Sequence, residues 1–232
     1  MSTSLVNITI NKILTMIKSE NLQPNDKLPT VEDLAIKFNV GRSTIREALR
    51  VLSTRNIVVV KQGAGTFISE EQGMTSDPLG LEYISDDINV IFDMVVLRLI
   101  FEPEMAAMAA QFATRQDVQE INRYCNIVEK LIREKQDYHQ EDADFHSAIA
   151  KASGNGVIQK VTKMIHTSIK KNIFMTDNTL SNETIIFHRS IAEAIERGDI
   201  SGAKYAMISH LNAQRRFLIS NYGYKLRKIN LL

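Results

Sequence analysis

Apolar residues recur at helical spacing almost throughout residues 81–232, where no segment shows the alternating pattern of a strand. The run from Ile88 to Phe112 is long and apolar, and later segments repeat the i, i+3, i+4, i+7 spacing of a helix with one buried face. Helices of this kind must bury their apolar faces against one another. We therefore predict an all-helical bundle. Pro103 lies inside the first helix, where its ring and missing N–H predict a kink.

The first 72 residues combine two periodicities. Three short segments have helical spacing, and the strand-like runs 57–61 and 66–69 follow them with glycines between. Three helices and a hairpin are typical of a winged helix-turn-helix. Glycine, serine and proline cluster in 73–80, so we predict a mainly α protein with domains 1–72 and 81–232 joined by a linker, 73–80. The apolar positions that define the three helices are Ile10, Ile13, Leu14 and Ile17, then Leu34, Ala35 and Phe38, then Ile45, Ala48, Leu49 and Leu52.

Short motifs predict several helix ends. A threonine followed three residues later by an aspartate resembles a capping box, and a glycine after an apolar-periodic segment is typical of a helix C-terminus. The capping boxes are Thr30 with Asp33 and Thr114 with Asp117, and the terminating glycines are Gly154 and Gly198.

Composition excludes several classes of protein. The 232 residues are 44% hydrophobic and 24% charged, as in an ordinary globular chain, and Cys125 is the single cysteine. An intramolecular disulfide and a cysteine-based zinc finger are therefore excluded. The sequence has no uninterrupted apolar run of about 18 residues and no basic segment at its start, so we expect a cytoplasmic protein without membrane contacts.

Positive charge is concentrated on the third predicted helix, although the whole chain has a net charge of only +1. Arg42, Arg46 and Arg50 are spaced i, i+4, i+8 and share one face. Such a ridge is most often a solvated helix surface. After the turn of a helix-turn-helix, the same ridge can enter the major groove, where arginine donates to guanine and phosphate. Ser43 and Thr44 at the helix start can reach phosphate or base edges.

The N-terminal third resembles the DNA-binding domain of GntR-family bacterial transcription regulators. The resemblance implies that Arg42 and Arg46 contact double-stranded operator DNA, and that Gln62 and Gly63 at the wing tip approach the minor groove. The segments that carry the resemblance are Leu28–Ala35, Val40–Arg50 and Gly63–Ile68.

Two positions depart from the family pattern. Glu32 stands where many members carry an arginine that touches DNA, so we expect that contact to be lost or replaced and operator preference to differ. Gly41 stands where serine is frequent, and glycine remains an acceptable N-cap for the following helix.

Three histidines, His146, His188 and His210, lie on otherwise apolar faces of different predicted helices. Asp142 precedes His146 by one helical turn, so both side chains can point to the same side. Isolated examples are most often hydrogen-bonded core histidines or surface helix pairs. Three buried imidazoles favour a shared partner, because buried polar rings without one leave donors unsatisfied. An aspartate and three histidines suit a divalent transition metal such as zinc or nickel.

The C-terminal part resembles the FCD ligand-binding domain of the FadR subgroup of the GntR family. The resemblance implies that Asp142, His146, His188 and His210 hold the metal, and that a small carboxylate effector binds beside it. The matching segments are Arg98-x-x-x-Glu102, the Asp-Ala-Asp-Phe-His of 142–146, the Ala-Ser-Gly-Asn of 152–155, the Phe-His-Arg of 187–189, and positions from Gly198 to Leu211.

Arg98 and Asn155 are the candidate effector-binding residues. A guanidinium pairs carboxylates bidentately, which favours Arg98 as the partner of an acidic effector. Arg98 can equally pair with Glu102, one turn later on its own helix, and this alternative stays open at this point. His139 and His166 match no position of the motif and are assigned ordinary surface or packing roles.

These patterns and the two resemblances together imply a bacterial, metal-dependent and effector-responsive transcription regulator. We expect a homodimer that represses from an inverted-repeat operator, because one recognition helix reads few base pairs and two-fold symmetry doubles the site. One alternative is a metal-free regulator of an apolar or acyl ligand whose histidines are merely packed. A metal-dependent hydrolase is a further alternative, although the sequence shows no HExxH motif and no glycine-rich phosphate cradle.

Overall fold

The computed structural model describes residues 4–70, 73, 78–80, 88–169 and 181–225. The chain divides into two compact units, Met1–Ser76 and Asp77–Leu232, and this division falls within the stretch that the sequence predicts as a linker. Among the described residues, none of the helices is long and apolar enough to cross a membrane.

The first unit contains three helices and a two-stranded hairpin, as predicted. Its apolar core is formed by the inner faces of the three helices and includes the fully buried side chains Ile13, Leu34, Ile45 and Leu52. The strands are antiparallel, with Val58 opposite Ile68 and Lys61 opposite Gly65. The elements are α1 (Leu5–Ser19), α2 (Val31–Phe38), α3 (Arg42–Thr54), β1 (Val58–Lys61) and β2 (Gly65–Ile68).

Local sequence sets the ends of α2 and the start of α3. The Thr30 hydroxyl accepts from the Asp33 backbone N–H, and the Asp33 carboxylate accepts from the Thr30 backbone N–H, so the predicted capping box is present. Asn39 ends α2 in the left-handed conformation, and Gly41 is the N-cap of α3. This short turn fixes α3 against α2, because both helices bury their apolar faces in the same core.

The second unit is helical throughout its described part. Helix α4 packs against α6, α7, α8 and α9, and α5 packs against α6 and α8. The shared core includes the fully buried side chains Met105, Phe145, Ile191, Met207 and Leu211. The elements are α4 (Ile88–Phe112), α5 (Arg115–Arg133), α6 (His139–Ala152), α7 (Gly156–Ile169), α8 (Ser181–Glu196) and α9 (Ile200–Tyr222), followed by one 3-10 turn, Gly223–Lys225.

The predicted helix ends of this unit are confirmed. Thr114 and Asp117 form a capping box at α5, while Gly154 and Gly198 have φ values of +71° and +67° after α6 and α8. Glycine adopts this conformation without steric penalty. Helix α4 continues through Pro103 as one element from Ile88 to Phe112, so Pro103 does not divide the helix.

Candidate functional site

Helix α3 presents a basic surface on one side and apolar residues on the other. Arg42, Ser43, Arg46 and Arg50 are exposed, and Thr44 is half-buried. The opposite face of α3 buries Ile45, Ala48, Leu49 and Leu52 in the core of the first unit. Burial of this apolar face therefore fixes which side chains of α3 remain available to a partner.

Two of the three arginines contact carboxylates on the same surface. The Arg50 guanidinium donates to both carboxylate oxygens of Glu47, at 3.0 and 2.6 Å. Arg42 Nη1 lies 3.6 Å from Glu32 Oε1, so the acidic residue that departs from the family pattern stands beside a predicted DNA contact. These are solvent-exposed pairs, which contribute little to stability and can be exchanged for another anion.

The backbone at the wing tip has positive φ values, a conformation that favours glycine. Gln62 and Gly63 are exposed in the turn between β1 and β2, and Gly63 has a φ of +74°. Gly65 has a φ of +119°, and a Cβ there would lie 2.8 Å from Lys27 Cε. The hairpin therefore holds the backbone of Gln62 and Gly63 at the surface.

A cluster of polar side chains is buried in the second unit. His146 on α6, His188 on α8 and His210 on α9 are each at most 1% exposed. Each ring contributes one nitrogen to a group in which all ligand atoms lie within 4.8 Å of one another. Three of the four predicted metal ligands are thus brought together by three different helices.

Asp142 lies at the edge of this group. Its Oδ1 is 3.3 Å from His188 Nε2, and its Oδ2 is 3.9 Å from His146 Nε2. The Asp142 side chain is 14% exposed, whereas the rings beside it are fully buried. We call Asp142, His146, His188 and His210 the four-residue cluster.

The four-residue cluster has the donor chemistry that a divalent metal requires. Burial holds the pKa of His188 and His210 well below the ordinary value, and repulsion that a protonated ring would meet from neighbouring rings and from Arg98 lowers it further, so these rings are neutral and keep a lone pair. Among the residues that the structure describes, neither ring nitrogen of His188 has a hydrogen-bond partner. A buried imidazole without a partner is costly, and a shared cation would remove that cost.

A second polar group adjoins the four-residue cluster on α4. Glu102 is fully buried, and its Oε1 lies 2.7 Å from Arg98 Nε. Burial alone raises the pKa of a carboxyl, but Arg98 and His146 reverse this effect and hold the pKa of Glu102 well below its usual value. Glu102 is therefore an ionised carboxylate inside the bundle.

Arg98 links this carboxylate to the histidines. Its Nη1 donates to Gln214 Oε1 at 3.1 Å, and its Nη2 lies 3.2 Å from His146 Nε2. Gln214 Nε2 in turn lies 3.4 Å from His210 Nε2. Of the two roles that the sequence leaves open for Arg98, the structure contains the pair with Glu102, and a contact with an effector stays a prediction.

Sequence reasoning missed the position of His166. The side chain is only 5% exposed on α7, its ring stacks on His146 with centroids 4.9 Å apart, and its Nε2 lies 3.5 Å from Glu102 Oε1. Burial lowers the pKa of His166 to about 4. Of the two ordinary roles assigned to His166, surface or packing, the structure contains the packing role, and the ring lies beside Glu102 and His146. The sequence contains only a weak indication that His166 is buried. His166 follows the buried Thr162 by four residues, at the edge of the apolar stripe of α7.

The remaining predicted residue, Asn155, caps a helix. Its Oδ1 accepts from the backbone N–H groups of Val157 and Ile158, at 3.0 and 3.2 Å, at the start of α7. This contact explains an asparagine at position 155 without an effector. His139, the other histidine assigned an ordinary role, is partly exposed, and its ring Nε2 lies 4.0 Å from Asp137 Oδ1.

Comparisons with known proteins agree with this architecture. The chain matches the family "Bacterial regulatory proteins, gntR family" over residues 7–68 and the "FCD domain" over residues 93–213. It is 28% identical to the Uxu operon regulator of Haemophilus influenzae, over 90% of this chain and 81% of that protein. It is also 28% identical to the HTH-type transcriptional repressor NanR of Enterobacter sp. (strain 638), over 85% of this chain and 79% of that protein.

A solved structure gives the same result. Streptococcus agalactiae GntR superimposes with a TM-score of 0.83 at 34% sequence identity, covering 91% of this chain and 100% of that chain. A winged helix-turn-helix and a helical FCD domain in one chain define a DNA-binding transcription regulator. The chain belongs to the GntR family and carries an FCD domain, so the predicted family and fold class are confirmed.

Proposed function

We propose that this regulator is a repressor controlled by a divalent metal and a small carboxylate effector, both held in the helical unit. The observation that carries the proposal is the convergence of three buried histidine rings with Asp142. Zinc and nickel both accept imidazole and carboxylate ligands. The bound metal would supply a positive charge and open coordination positions for an oxygen ligand.

Charge balance in the cluster supports an anionic effector. Arg98 and Glu102 neutralise each other, and histidines add no charge when they bind a metal, because they bind it as neutral rings. The remaining charge is that of Asp142, because a metal-binding carboxylate is ionised. A divalent ion would leave one excess positive charge in a buried site, and this charge favours a singly charged anion such as a monocarboxylate.

Arg98 is the proposed second contact of the effector. Its Nη2 faces His146 Nε2 at 3.2 Å, so a donor of the guanidinium lies at the edge of the four-residue cluster. A carboxylate beside the metal would therefore come within reach of an N–H group that the pair with Glu102 holds in place. Sugar acids and short hydroxy acids, which the FCD resemblance implies, combine such a carboxylate with further oxygen ligands.

The basic surface of α3 is the proposed operator-reading element. Arg42, Ser43, Thr44, Arg46 and Arg50 on α3 would meet the major groove and its phosphates. The exposed wing tip, Gln62 and Gly63, would lie at the adjacent minor groove. A homodimer would place two such elements on an inverted repeat, and the names of the Uxu operon regulator and the repressor NanR support control of an operon by repression.

Effector control would follow from linkage. An effector changes operator affinity only if it binds the DNA-competent and DNA-incompetent arrangements with different affinities. The helices that carry the four-residue cluster, α6, α8 and α9, all pack in one core with α4. A ligand that joins these helices would therefore favour one packing of the helical unit.

Elemental analysis of the purified protein, followed by thermal-shift titration with small carboxylates, tests this proposal. We expect about one divalent metal per chain and a stabilising shift with one class of acid, and we expect a chelator to abolish that shift. Operator retardation in the presence of the same acid should then decrease. A protein without metal whose stability responds only to acyl ligands would instead support the metal-free alternative, and metal-dependent ester or amide hydrolysis would support the enzyme.

A further inference from the structure

Glu102 has more buried polar neighbours than an ordinary helix ion pair. Its Oε1 lies 2.7 Å from Arg98 Nε, and its Oε2 lies 3.0 Å from His146 Nδ1. Glu102 and His146 are both fully buried, and they come from different helices, α4 and α6. The Glu102 carboxylate therefore contacts Nδ1 of the His146 ring, while Nε2 of the same ring faces the other residues of the four-residue cluster.

The donors and acceptors around His146 define one tautomer of its ring. A guanidinium only donates, so the Nε2 that lies 3.2 Å from Arg98 Nη2 must carry a lone pair. An ionised carboxylate only accepts, so the Nδ1 beside Glu102 must carry the proton. The 3.0 Å contact is within hydrogen-bond distance, although the ring N–H is not aligned with the oxygen. Both neighbours thus favour a proton on Nδ1.

We infer that Glu102 is a positioning residue for His146, and that its carboxylate keeps the ring proton on Nδ1. The Nε2 lone pair, which accepts from Arg98 in this structure, is then free of a proton and can bind the candidate metal when Arg98 releases it. Carboxylates behind metal-binding histidines orient the ring and raise the basicity of the ligating nitrogen. The part of this inference that concerns metal affinity rests on the proposed metal site. The tautomer assignment rests only on the contacts of His146 with Arg98 and Glu102.

A different role for the same carboxylate is direct coordination. The Glu102, His146 and His166 ligand atoms also lie within 4.8 Å of one another. Arg98 argues against a metal there, because its guanidinium lies 2.7 Å from one oxygen and 3.4 Å from the other. A cation at this carboxylate would have to approach a fixed positive charge in a buried site. Glu102 is therefore better suited to orient a ligand than to be one.

Two double variants that differ only at position 102 test the inference. Arg98→Met/Glu102→Gln keeps an acceptor oxygen beside His146, and Arg98→Met/Glu102→Leu removes it. Both variants remove the buried charge of Arg98 together with that of Glu102, because a single neutralisation would leave an unpaired buried charge and destabilise the fold. Glu104→Gln is a control on the same helix, since Glu104 is exposed and pairs with Lys204.

Two measurements are made on each protein. Nitrogen-15 NMR of the chelator-treated protein reads the tautomer of His146, with the signal assigned by its loss in His146→Gln. Competition with a chromogenic chelator gives the dissociation constant for Zn²⁺. We expect the Nδ1–H tautomer in the wild type and in the Gln variant, a mixture of tautomers in the Leu variant, and about 10- to 100-fold weaker Zn²⁺ binding in the Leu variant than in the Gln variant.

The outcomes separate the two proposals. An Nε2–H tautomer in the wild type, or equal tautomers and equal Zn²⁺ affinity in the Gln and Leu variants, overturns the role of Glu102 even if the wild type binds the metal. Failure of the wild type to bind Zn²⁺ overturns the metal site, while the tautomer comparison still decides whether Glu102 orients His146. Circular dichroism of each variant verifies that the helical unit is folded.

Discussion

The two units of this regulator use polar side chains in opposite ways. In the winged unit, Arg42, Arg46 and Arg50 are exposed, and the core beneath them is apolar. In the helical unit, the three histidines of the four-residue cluster are buried among apolar side chains, and so is the ion pair of Arg98 with Glu102. A polar residue on the first surface needs no internal partner, whereas each polar residue in the second site must find one or lose stability.

This difference predicts how each region responds to substitution. Removal of an exposed arginine should change binding without changing the fold, because exposed ion pairs contribute little to stability. Removal of a buried histidine should change ligand content and local packing together, because the residues of the cluster touch one another across several helices.

The largest expected effect is loss of metal from the helical unit. His188→Ala/His210→Ala should reduce the metal content from about one per chain to none, and should abolish the thermal shift with the effector. His139→Ala is the control, since His139 is partly exposed and its ring lies beside Asp137. Plasma emission analysis gives the content, and full metal in the double variant would exclude the site.

The next largest effect is on operator binding by the winged unit. Arg46→Ala should weaken binding to a specific operator by about 1–3 kcal/mol for each half-site, because a bidentate contact to a base is lost. Gel retardation with specific and random duplexes measures the difference. Metal content and thermal stability should stay those of the wild type, and an unchanged operator affinity would remove Arg46 from the reading surface.

A smaller effect tests whether exposed polar residues are always neutral for stability. Thr30→Ala and Thr114→Ala each remove a capping box whose threonine is exposed, one in each unit. Each substitution should destabilise its own unit by about 1 kcal/mol. Thermal unfolding measures the loss, while operator affinity and metal content serve as controls. A loss of metal in Thr114→Ala would contradict the expectation that this capping box affects stability but not metal binding.

The smallest expected effect distinguishes the arginines on α3. Arg50 is held by both oxygens of Glu47, so binding to phosphate must first break this pair. Arg50→Ala should therefore weaken operator binding by less than Arg46→Ala, by at most about 1 kcal/mol. The same gel retardation measures it. An effect as large as that of Arg46→Ala would show that Arg50 leaves Glu47 to contact DNA.

Much of this fold could be predicted from the sequence because its signals are local. The capping boxes at Thr30 and Thr114 and the glycine at position 154 specify helix ends through contacts a few residues apart. The apolar face of α3 also determines that Arg42, Arg46 and Arg50 point away from the core. These features depend on neighbours along one helix and need no knowledge of the other helices.

The buried site was only partly predictable. Periodicity placed His146, His188 and His210 on inward faces of their helices, and their convergence agrees with the sequence-based hypothesis of one cluster. Periodicity did not identify His166, and Arg98 had two partners of equal merit. The hydrogen bond from Arg98 to Gln214 and the stacking of His166 on His146 join residues of different helices, so no spacing along one helix predicts them.

The sequence by itself determined the family, the two kinds of domain, the helix ends and the exposed basic face of α3, because these follow from patterns within short segments. Only the tertiary structure decided which polar side chains share one buried volume. Distances between helices depend on the packing of whole side-chain layers, so a carboxylate on α4 can lie 3.0 Å from a ring on α6 without any sequence spacing that predicts it.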